Sequence, residues 1–437
     1  MRPTRTAIVV MALASVFAIL PALGFPRTWP MVPVAWCVFG VLFIVDAVVS
    51  PRRGSVRVET RELDELHVGK AERFDVRVRA RSWRTVPLEA ALDLSEELEP
   101  QPHVHGVLGA GEAPEELAFE LVPRRRGTAR VERIWLKYAS PFGLIEWLHE
   151  VPLEKELGVF PDMPTVRETA IRFFSDPTFR SGMKIEQYRG DGTEFEALKE
   201  FTLGDDHRAL DWKASARHRV LLTRQFRAER NHQVCIAVDS GHLMGEPMGG
   251  IPKLDHALNA ALLLSYVCLA SGDRVGFFSF GATLGPGLPP LGGVGSIQSL
   301  NDVMSRVEYS TEETNFTLGL TSLAQRLERR SLIILLTDFV DTVTAELMIE
   351  NVHRLGQRHL VVFVSLKDPA LASIVEAEPR GMETLNRSVV AHGFVDAREV
   401  VHGRLRASGI QPLDVEPARI GPQLINRYLD IKRRELV

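Results

Sequence analysis

The chain has 437 residues, of which 45% are hydrophobic and 25% charged, and its formal net charge is −4. This length exceeds that of one ordinary domain, so two or three domains are expected. The small negative charge gives no overall reason to expect nucleic-acid binding, and three scattered cysteines without CxxC or Cys/His spacing argue against a disulfide framework or a zinc site.

Two uncharged apolar runs open the chain. They cover residues 6–26 and 28–45, and residues 24–28 between them contain Gly and Pro. A helix needs roughly 20 apolar residues to cross a bilayer, and both runs come close to that length. Residues 1–53 are therefore predicted to form a transmembrane hairpin of two antiparallel helices.

The charges that flank these runs predict the orientation of the hairpin. Arg2 and Arg5 precede the first run, and Arg52, Arg53 and Arg57 follow the second. By the positive-inside rule both ends face the cytoplasm. The protein is thus expected in the plasma (inner) membrane, multi-pass, with the bulk of the chain cytoplasmic. A cleaved signal peptide is the alternative interpretation of the first run.

Residues 54–160 show apolar side chains at alternate positions in several short runs, such as RFDVRVRA and TARVERIWLKY. Gly, Pro and Ser separate these runs, which predicts a small antiparallel β-sandwich. Three consecutive arginines at 124–126 belong either to a solvated hairpin or to a contact with lipid headgroups. No catalytic set stands out in this region.

Residues 161–232 are predicted to be a linker followed by an unusually charged segment, TLGDDHRALDWKASAR, at 202–217. This segment has two main interpretations. In the first, Asp205, Asp206 and Asp211 are carboxylate ligands of a metal-dependent hydrolase.

The second interpretation, which we favour, is a packed polar network on an amphipathic helix. One of the paired aspartates caps the helix, arginines pair with carboxylates, Trp212 buries its ring and Lys213 stays solvated. Nucleic-acid binding ranks last, because acidic residues are interleaved with the basic ones. The predicted network comprises Asp205, Asp206, Arg208, Asp211, Trp212, Lys213, Ser215 and Arg217.

From residue 233 to residue 437, compact apolar strands alternate with amphipathic helices. Strands without polar positions are typical of a sheet that is covered on both faces. The predicted fold class is therefore α/β, a doubly wound, mostly parallel sheet, preceded by the two-helix transmembrane hairpin and the antiparallel β-sandwich. The glycine-rich run at 285–296 is predicted to be an exposed loop.

Three polar residues are predicted to meet at one edge of this sheet. Asp239 ends the strand QVCIAVD, Asp338 ends SLIILLTD, and Thr314 opens the loop before a helix. Ligands of open α/β sheets bind beyond the carboxyl ends of the strands. The topology alone thus predicts a site at this edge.

The order of these residues resembles that of von Willebrand factor A-like domains, and EFEALKEFTLGDDHRALDWKASARHRVLLTRQF resembles the signature of the DUF58 family. The resemblance implies a metal-ion-dependent adhesion site with Mg²⁺ at Asp239, Thr314 and Asp338. Gly241 and Leu243 stand where such sites carry serines, so two oxygen ligands are missing. Either water completes the shell of Mg²⁺, or the degenerate site serves for backbone capping or partner contact.

No convincing catalytic set is present, and neither a GxSxG elbow nor a P-loop occurs. The chain is therefore predicted to be a membrane-anchored, cytoplasm-facing interaction scaffold, not an enzyme. The family resemblance implies a MoxR-type AAA+ ATPase as the partner, with a partner carboxylate completing the metal shell. The metal-dependent hydrolase remains the alternative.

Overall fold

The computed structural model forms two compact units, Met1–Phe160 and Pro161–Val437. Each unit has its own sheets and is described by itself. The structure describes residues 2–17, 29–51, 56–61, 63, 65–80, 82, 84–100, 103–109, 114–175, 189–202, 210–227, 232–340, 342, 344–377 and 381–434.

The first unit begins with two helices, α1 (Arg5–Phe17) and α2 (Met31–Val49). In the part of the chain that the structure describes, only α2 is long and apolar enough to cross a membrane. The 13 residues of α1 span about 20 Å, less than the roughly 30 Å of a hydrocarbon core. The predicted two-helix transmembrane hairpin is therefore wrong, and a multi-pass topology is unsupported.

The end of α2 is fixed to the β-rich part of its unit through a buried acid. Asp46 accepts hydrogen bonds from the Ser140 hydroxyl and from the backbone N–H groups of Phe142 (3.0 Å) and Leu144 (3.1 Å). A buried carboxylate needs such donors to offset its desolvation. Asp46 thus fixes the end of α2 to the segment formed by residues 140–144.

Antiparallel pairing dominates the β-rich part. One sheet has six strands, in the order β1-β9-β8-β5-β6 with β3 beside β9, and another has three, β2-β4-β7. Apolar and charged residues alternate along β4: Phe74, Val76 and Val78 are buried, whereas Asp75 and Arg77 between them form ion pairs. The strands are β1 (Arg2–Pro3), β2 (Arg57–Thr60), β3 (Leu66–His67), β4 (Glu72–Arg79), β5 (Val86–Leu94), β6 (Val104–Leu108), β7 (Glu115–Leu121), β8 (Gly127–Ala139) and β9 (Ile145–Phe160).

The second unit contains a six-stranded mixed sheet, in the order β16-β15-β12-β17-β18-β19. It also has two small antiparallel sheets, β10-β11 and β13-β14. Its strands are β10 (Arg189–Glu200), β11 (Leu222–Arg227), β12 (Gln233–Asp239), β13 (Pro247–Met248), β14 (Ile251–Pro252), β15 (Arg274–Phe280), β16 (Leu284–Leu291), β17 (Leu332–Leu336), β18 (Leu360–Leu366) and β19 (Gln411–Val415).

The helices of the second unit pack on both faces of the mixed sheet and form an apolar cluster with each face. Successive side chains of β12 point to opposite faces, so this strand contributes to both clusters. Val234 and Ile236 enter one cluster, Cys235 and Ala237 the other. The helices are α3 (Met163–Ser175), α4 (Trp212–His218), α5 (His242–Gly245), α6 (Lys253–Ala270), α7 (Ile297–Ser305), α8 (Phe316–Arg326), α9 (Thr344–Gly356), α10 (Pro369–Glu376), α11 (Met382–Ala407) and α12 (Ile420–Arg433).

The predicted fold class, a doubly wound, mostly parallel, von Willebrand A-like sheet, is wrong, although β15, β12, β17, β18 and β19 pair in parallel. The chain has several antiparallel sheets, and the largest sheet of the second unit is mixed, because β16 runs antiparallel to β15. This edge strand covers most of the glycine-rich run that was expected to be a loop. Its prolines are tolerated because an edge strand leaves N–H positions unpaired. Likewise α3, in the expected linker, packs on the core through Val166 and Ala170.

Candidate functional site

The candidate site lies where β12 and β17 end. Asp239 is the last residue of β12, and Asp338 lies two residues beyond β17. These strands are parallel neighbours, so their carboxyl ends share one edge of the sheet. Thr314 lies just before α8, and its hydroxyl donates a 2.6 Å hydrogen bond to Asp239 Oδ1. The structure thus brings the three sequence-predicted residues to one edge, which we call the rim.

The Asp239 carboxylate is almost fully buried and accepts three hydrogen bonds. The donors are the Thr314 hydroxyl, the Thr337 hydroxyl at 2.6 Å and the Gly241 N–H at 2.8 Å. Burial raises the pKa of Asp239, and the neighbouring Asp338 carboxylate acts in the same direction, while the three hydrogen bonds oppose both. Sequence reasoning missed Thr337, although its place beside Asp338 at the end of a strand was a usable signal.

Asp338 is held between two cations. Lys253 Nζ lies 2.8 Å from Asp338 Oδ2, and an Arg398 guanidinium nitrogen lies 2.9 Å from Oδ1. Burial opposes the charge of Lys253, but the carboxylates of Asp338 and Glu246 outweigh it and raise the pKa of the ammonium. Both oxygens of Asp338 therefore have an ionised partner.

A second layer fixes these cations. Lys253 also contacts Glu246 Oε2 at 2.8 Å. Arg398 donates to the Leu366 carbonyl at 2.7 Å and to Asp414 Oδ1 at 2.9 Å. The sequence pattern does not predict a role for Lys253 or Arg398. Lys253 is an ordinary polar residue at the start of a helix, and Arg398 is one within a helix.

The residues at the rim do not fit the Mg²⁺ site that the resemblance implies. Mg²⁺ needs near-octahedral oxygen coordination, but Lys253 and Arg398 already hold Asp338. A Cβ at Gly241 would lie 1.9 Å from the Thr314 hydroxyl oxygen, so a serine has no room there. Among the described residues, no group of three or more His, Cys, Asp or Glu side chains is arranged to hold a metal ion.

The charged segment at 202–217 is described only in part, and Asp205, Asp206 and Arg208 lie outside the described residues. Asp211 is the N-cap of α4, and its Oδ1 accepts 3.0 Å hydrogen bonds from the N–H groups of Lys213 and Ala214. The Ser215 hydroxyl donates to the Asp211 carbonyl and accepts from the Leu222 N–H at 2.8 Å. These bonds tie α4 to β11.

The expectation that Trp212 buries its ring is wrong. The Trp212 side chain is 69% exposed, and Lys213 and Arg217 are also exposed. The physical reason is that α4 has only seven residues and presents Ser215 inward, where its hydroxyl satisfies backbone groups. Val220 and Leu221, in the following turn, are exposed as well.

Comparisons with known proteins match part of the second unit to a family model. Residues 197–381, which include the described part of the charged segment and the rim residues Asp239, Thr314 and Asp338, match the family described as "Protein of unknown function DUF58". No match is found among curated proteins.

Solved structures show only weak likeness. The conserved hypothetical protein BatB from Bacteroides thetaiotaomicron is 14% identical, covering 46% of this chain and 99% of its own, with a TM-score of 0.29. A PapD-like domain of human CEP192 is 8% identical, covering 24% and 86%, with a TM-score of 0.19. An Escherichia coli alpha-2-macroglobulin fragment is 17% identical, covering 26% and 17%, with a TM-score of 0.20. These scores carry no argument about function.

Proposed function

We propose that the protein is a membrane-anchored, cytoplasm-facing scaffold that holds a protein partner at the rim. The observation that carries this proposal is a group of exposed apolar side chains around a polar network whose groups are already satisfied. Apolar side chains exposed as a contiguous patch mark protein-interaction sites, whereas singly scattered ones are normal. We call this group the rim patch; it comprises Leu284, Leu318, Val340 and Leu347.

The positions of the rim patch follow from the fold. Leu284 pairs with Phe280 at the end of β15, and Leu318 lies in the first turn of α8. Val340 follows Asp338 by two residues. Leu347 lies in the first turn of α9, which a 3.2 Å hydrogen bond from Asn351 Nδ2 to the Thr317 hydroxyl joins to α8. All four residues therefore lie on segments that begin or end at the carboxyl edge of the sheet.

The chemistry of the rim favours binding over catalysis. Asp239 accepts from three donors, and Asp338 is neutralised by Lys253 and Arg398. A general base or nucleophile needs a reactive atom that can reach substrate, and these carboxylates are committed to their partners. Asp211, the described member of the proposed hydrolase cluster, serves as a helix cap. Asp205 and Asp206 lie outside the described residues, so the hydrolase stays an untested alternative.

The proposed partner is a MoxR-type AAA+ ATPase, as the family resemblance implies, and α2 is the proposed anchor. Apolar contacts would supply most of the binding energy at the rim patch, since a few buried side chains dominate most protein interfaces. The scaffold would then keep the ATPase next to the membrane.

The test is co-purification of the ATPase with the full chain from detergent-solubilised membranes. We expect wild type to retain the ATPase and Leu347→Glu to lose it, because the substitution places a charge in an apolar contact. Val107→Glu, at an exposed apolar position on β6 of the first unit, is the matched control and should retain it. Equal recovery with Leu347→Glu, or no recovery with wild type, would refute the proposal.

A further inference from the structure

We propose that the rim is built to work without a metal ion, because Lys253 and Arg398 supply the positive charge that Mg²⁺ would bring to Asp338. This inference goes beyond the scaffold function and stands whether or not a partner is found. It replaces the expectation that a bound metal recruits a carboxylate from the partner.

Both oxygens of Asp338 are already paired with cations. Its side chain is 6% exposed, and its two oxygens lie 2.8 Å from the Lys253 ammonium and 2.9 Å from the Arg398 guanidinium. A divalent ion at this carboxylate would meet two like charges within a few ångströms. Like charges at such distances repel strongly where water is largely excluded.

Further partners hold both cations in fixed positions. Lys253 is the first residue of α6 and bridges Asp338 to Glu246. Arg398 is held by Asp414 and the Leu366 carbonyl, and its guanidinium lies 5.1 Å from the centre of the Phe339 ring. A guanidinium with several fixed acceptors is oriented by them. Neither cation is a flexible surface group that a metal would push aside.

Gly241 and Leu243 stand where two oxygen ligands would be needed. Gly241 donates its N–H to Asp239 and leaves no room for a Cβ beside Thr314. Leu243, at the second serine position, carries no donor atom in its side chain. Asp239 Oδ1 accepts a hydrogen bond from the Thr314 hydroxyl, and Oδ2 accepts one from the Thr337 hydroxyl. Positions 241 and 243 add no oxygen ligand, so the like charge of Lys253 and Arg398 decides whether Asp239 and Asp338 can hold a metal ion.

The experiment is equilibrium dialysis of the chelator-treated full chain, in detergent, against Mn²⁺ as the probe. We expect wild type and Asp239→Asn to bind the same amount of Mn²⁺, which would show that Asp239 holds no metal ion in the wild-type protein. Lys253→Met removes the ammonium and frees Asp338 Oδ2 near Asp239, so this variant should gain a bound Mn²⁺. The gain should vanish in the double variant with Asp239→Asn.

Lys367→Met is the matched control, because Lys367 is an exposed lysine just after β18 and should leave Mn²⁺ binding unchanged. If Lys253→Met fails to fold, Arg398→Met serves as the second variant, since it frees the other oxygen of Asp338. Mn²⁺ bound by wild type and lost in Asp239→Asn would overturn the proposal. So would folded Lys253→Met and Arg398→Met proteins that both bind none.

Discussion

The ammonium of Lys253 lies 2.8 Å from Asp338 Oδ2, so the start of α6 is joined directly to the end of β17. Because Arg398 of α11 contacts the other oxygen, one carboxylate links two helices to the sheet. This three-way junction sits beside Asp239 and Thr314, and it shapes the surface on which we expect a partner to dock.

Removing the shared carboxylate should destabilise the second unit severely. Asp338→Ala leaves two largely buried cations without their common partner, and breaking a buried ion pair in this way costs about 3–5 kcal/mol. The free energy of unfolding, measured with urea, should fall by that amount. Glu350→Ala is the control, because its pair with Arg354 is exposed and worth about 0.3–0.5 kcal/mol. Equal losses of unfolding free energy in Asp338→Ala and Glu350→Ala would show that Asp338 does not stabilise the contact of the two helices with the sheet.

Gly241 should tolerate no side chain while Thr314 is present. The Cβ of Gly241→Ser would lie 1.9 Å from the Thr314 hydroxyl oxygen, and overpacking of this kind costs about 1–3 kcal/mol. Adding Thr314→Ala should recover part of that loss in a double-mutant cycle of unfolding free energies. Gly295→Ser, where a Cβ meets open space, is the control. A Gly241→Ser protein as stable as wild type would show that the rim is loosely packed.

The stability of the second unit should depend on pH through His359. This side chain is buried, and neither ring nitrogen has a hydrogen-bond partner among the described residues. Burial, and then the charge of Arg358, lower the pKa of His359 below its ordinary value of 6.5. The unfolded chain therefore binds the proton first, so the free energy of unfolding falls as the pH drops below 6.5.

His359→Leu removes this protonation and should flatten the decline of stability on the acid side. The measurement is urea unfolding of both proteins at a series of pH values from neutral to mildly acidic. His353→Leu, on an exposed position of α9, should keep the wild-type slope. Parallel slopes for wild type and His359→Leu would exclude His359 as the source.

The exposed Trp212 should matter for partner binding and little for folding. Tryptophan is over-represented among the side chains that dominate interfaces, where truncation to Ala costs at least about 2 kcal/mol. We expect Trp212→Ala to weaken binding of the ATPase by about 30-fold in Kd and to leave the melting temperature unchanged. Phe394→Ala, an exposed aromatic outside the charged segment, is the control. An unchanged Kd of Trp212→Ala for the ATPase would show that α4 does not contribute to the interface.

Some of this architecture was accessible from the sequence because it depends on local patterns. Compact apolar runs that end in Asp239 and Asp338 mark strand ends, and neighbouring parallel strands end at one edge. The ionic partners were not accessible, since Lys253 and Arg398 reach Asp338 only through the packing of α6 and α11. No spacing of residues along the chain predicts these two contacts with Asp338.

The wrong predictions have equally physical causes. An edge strand such as β16 accepts Gly and Pro, so its sequence resembles a loop. Trp212 was expected inside because large aromatic side chains usually are, but the short helix α4 turns Ser215 inward. The first apolar run had the composition of a span, whereas α1 in the described structure is too short to cross a bilayer.

The most direct test of the account is the affinity of the purified full chain for the ATPase, measured without nucleotide in EDTA and again in Mg²⁺. A rim that supplies its own cations predicts the same Kd in both solutions. Binding at least about tenfold tighter in Mg²⁺, equivalent to about 1.4 kcal/mol, and abolished by Asp239→Asn, would contradict it.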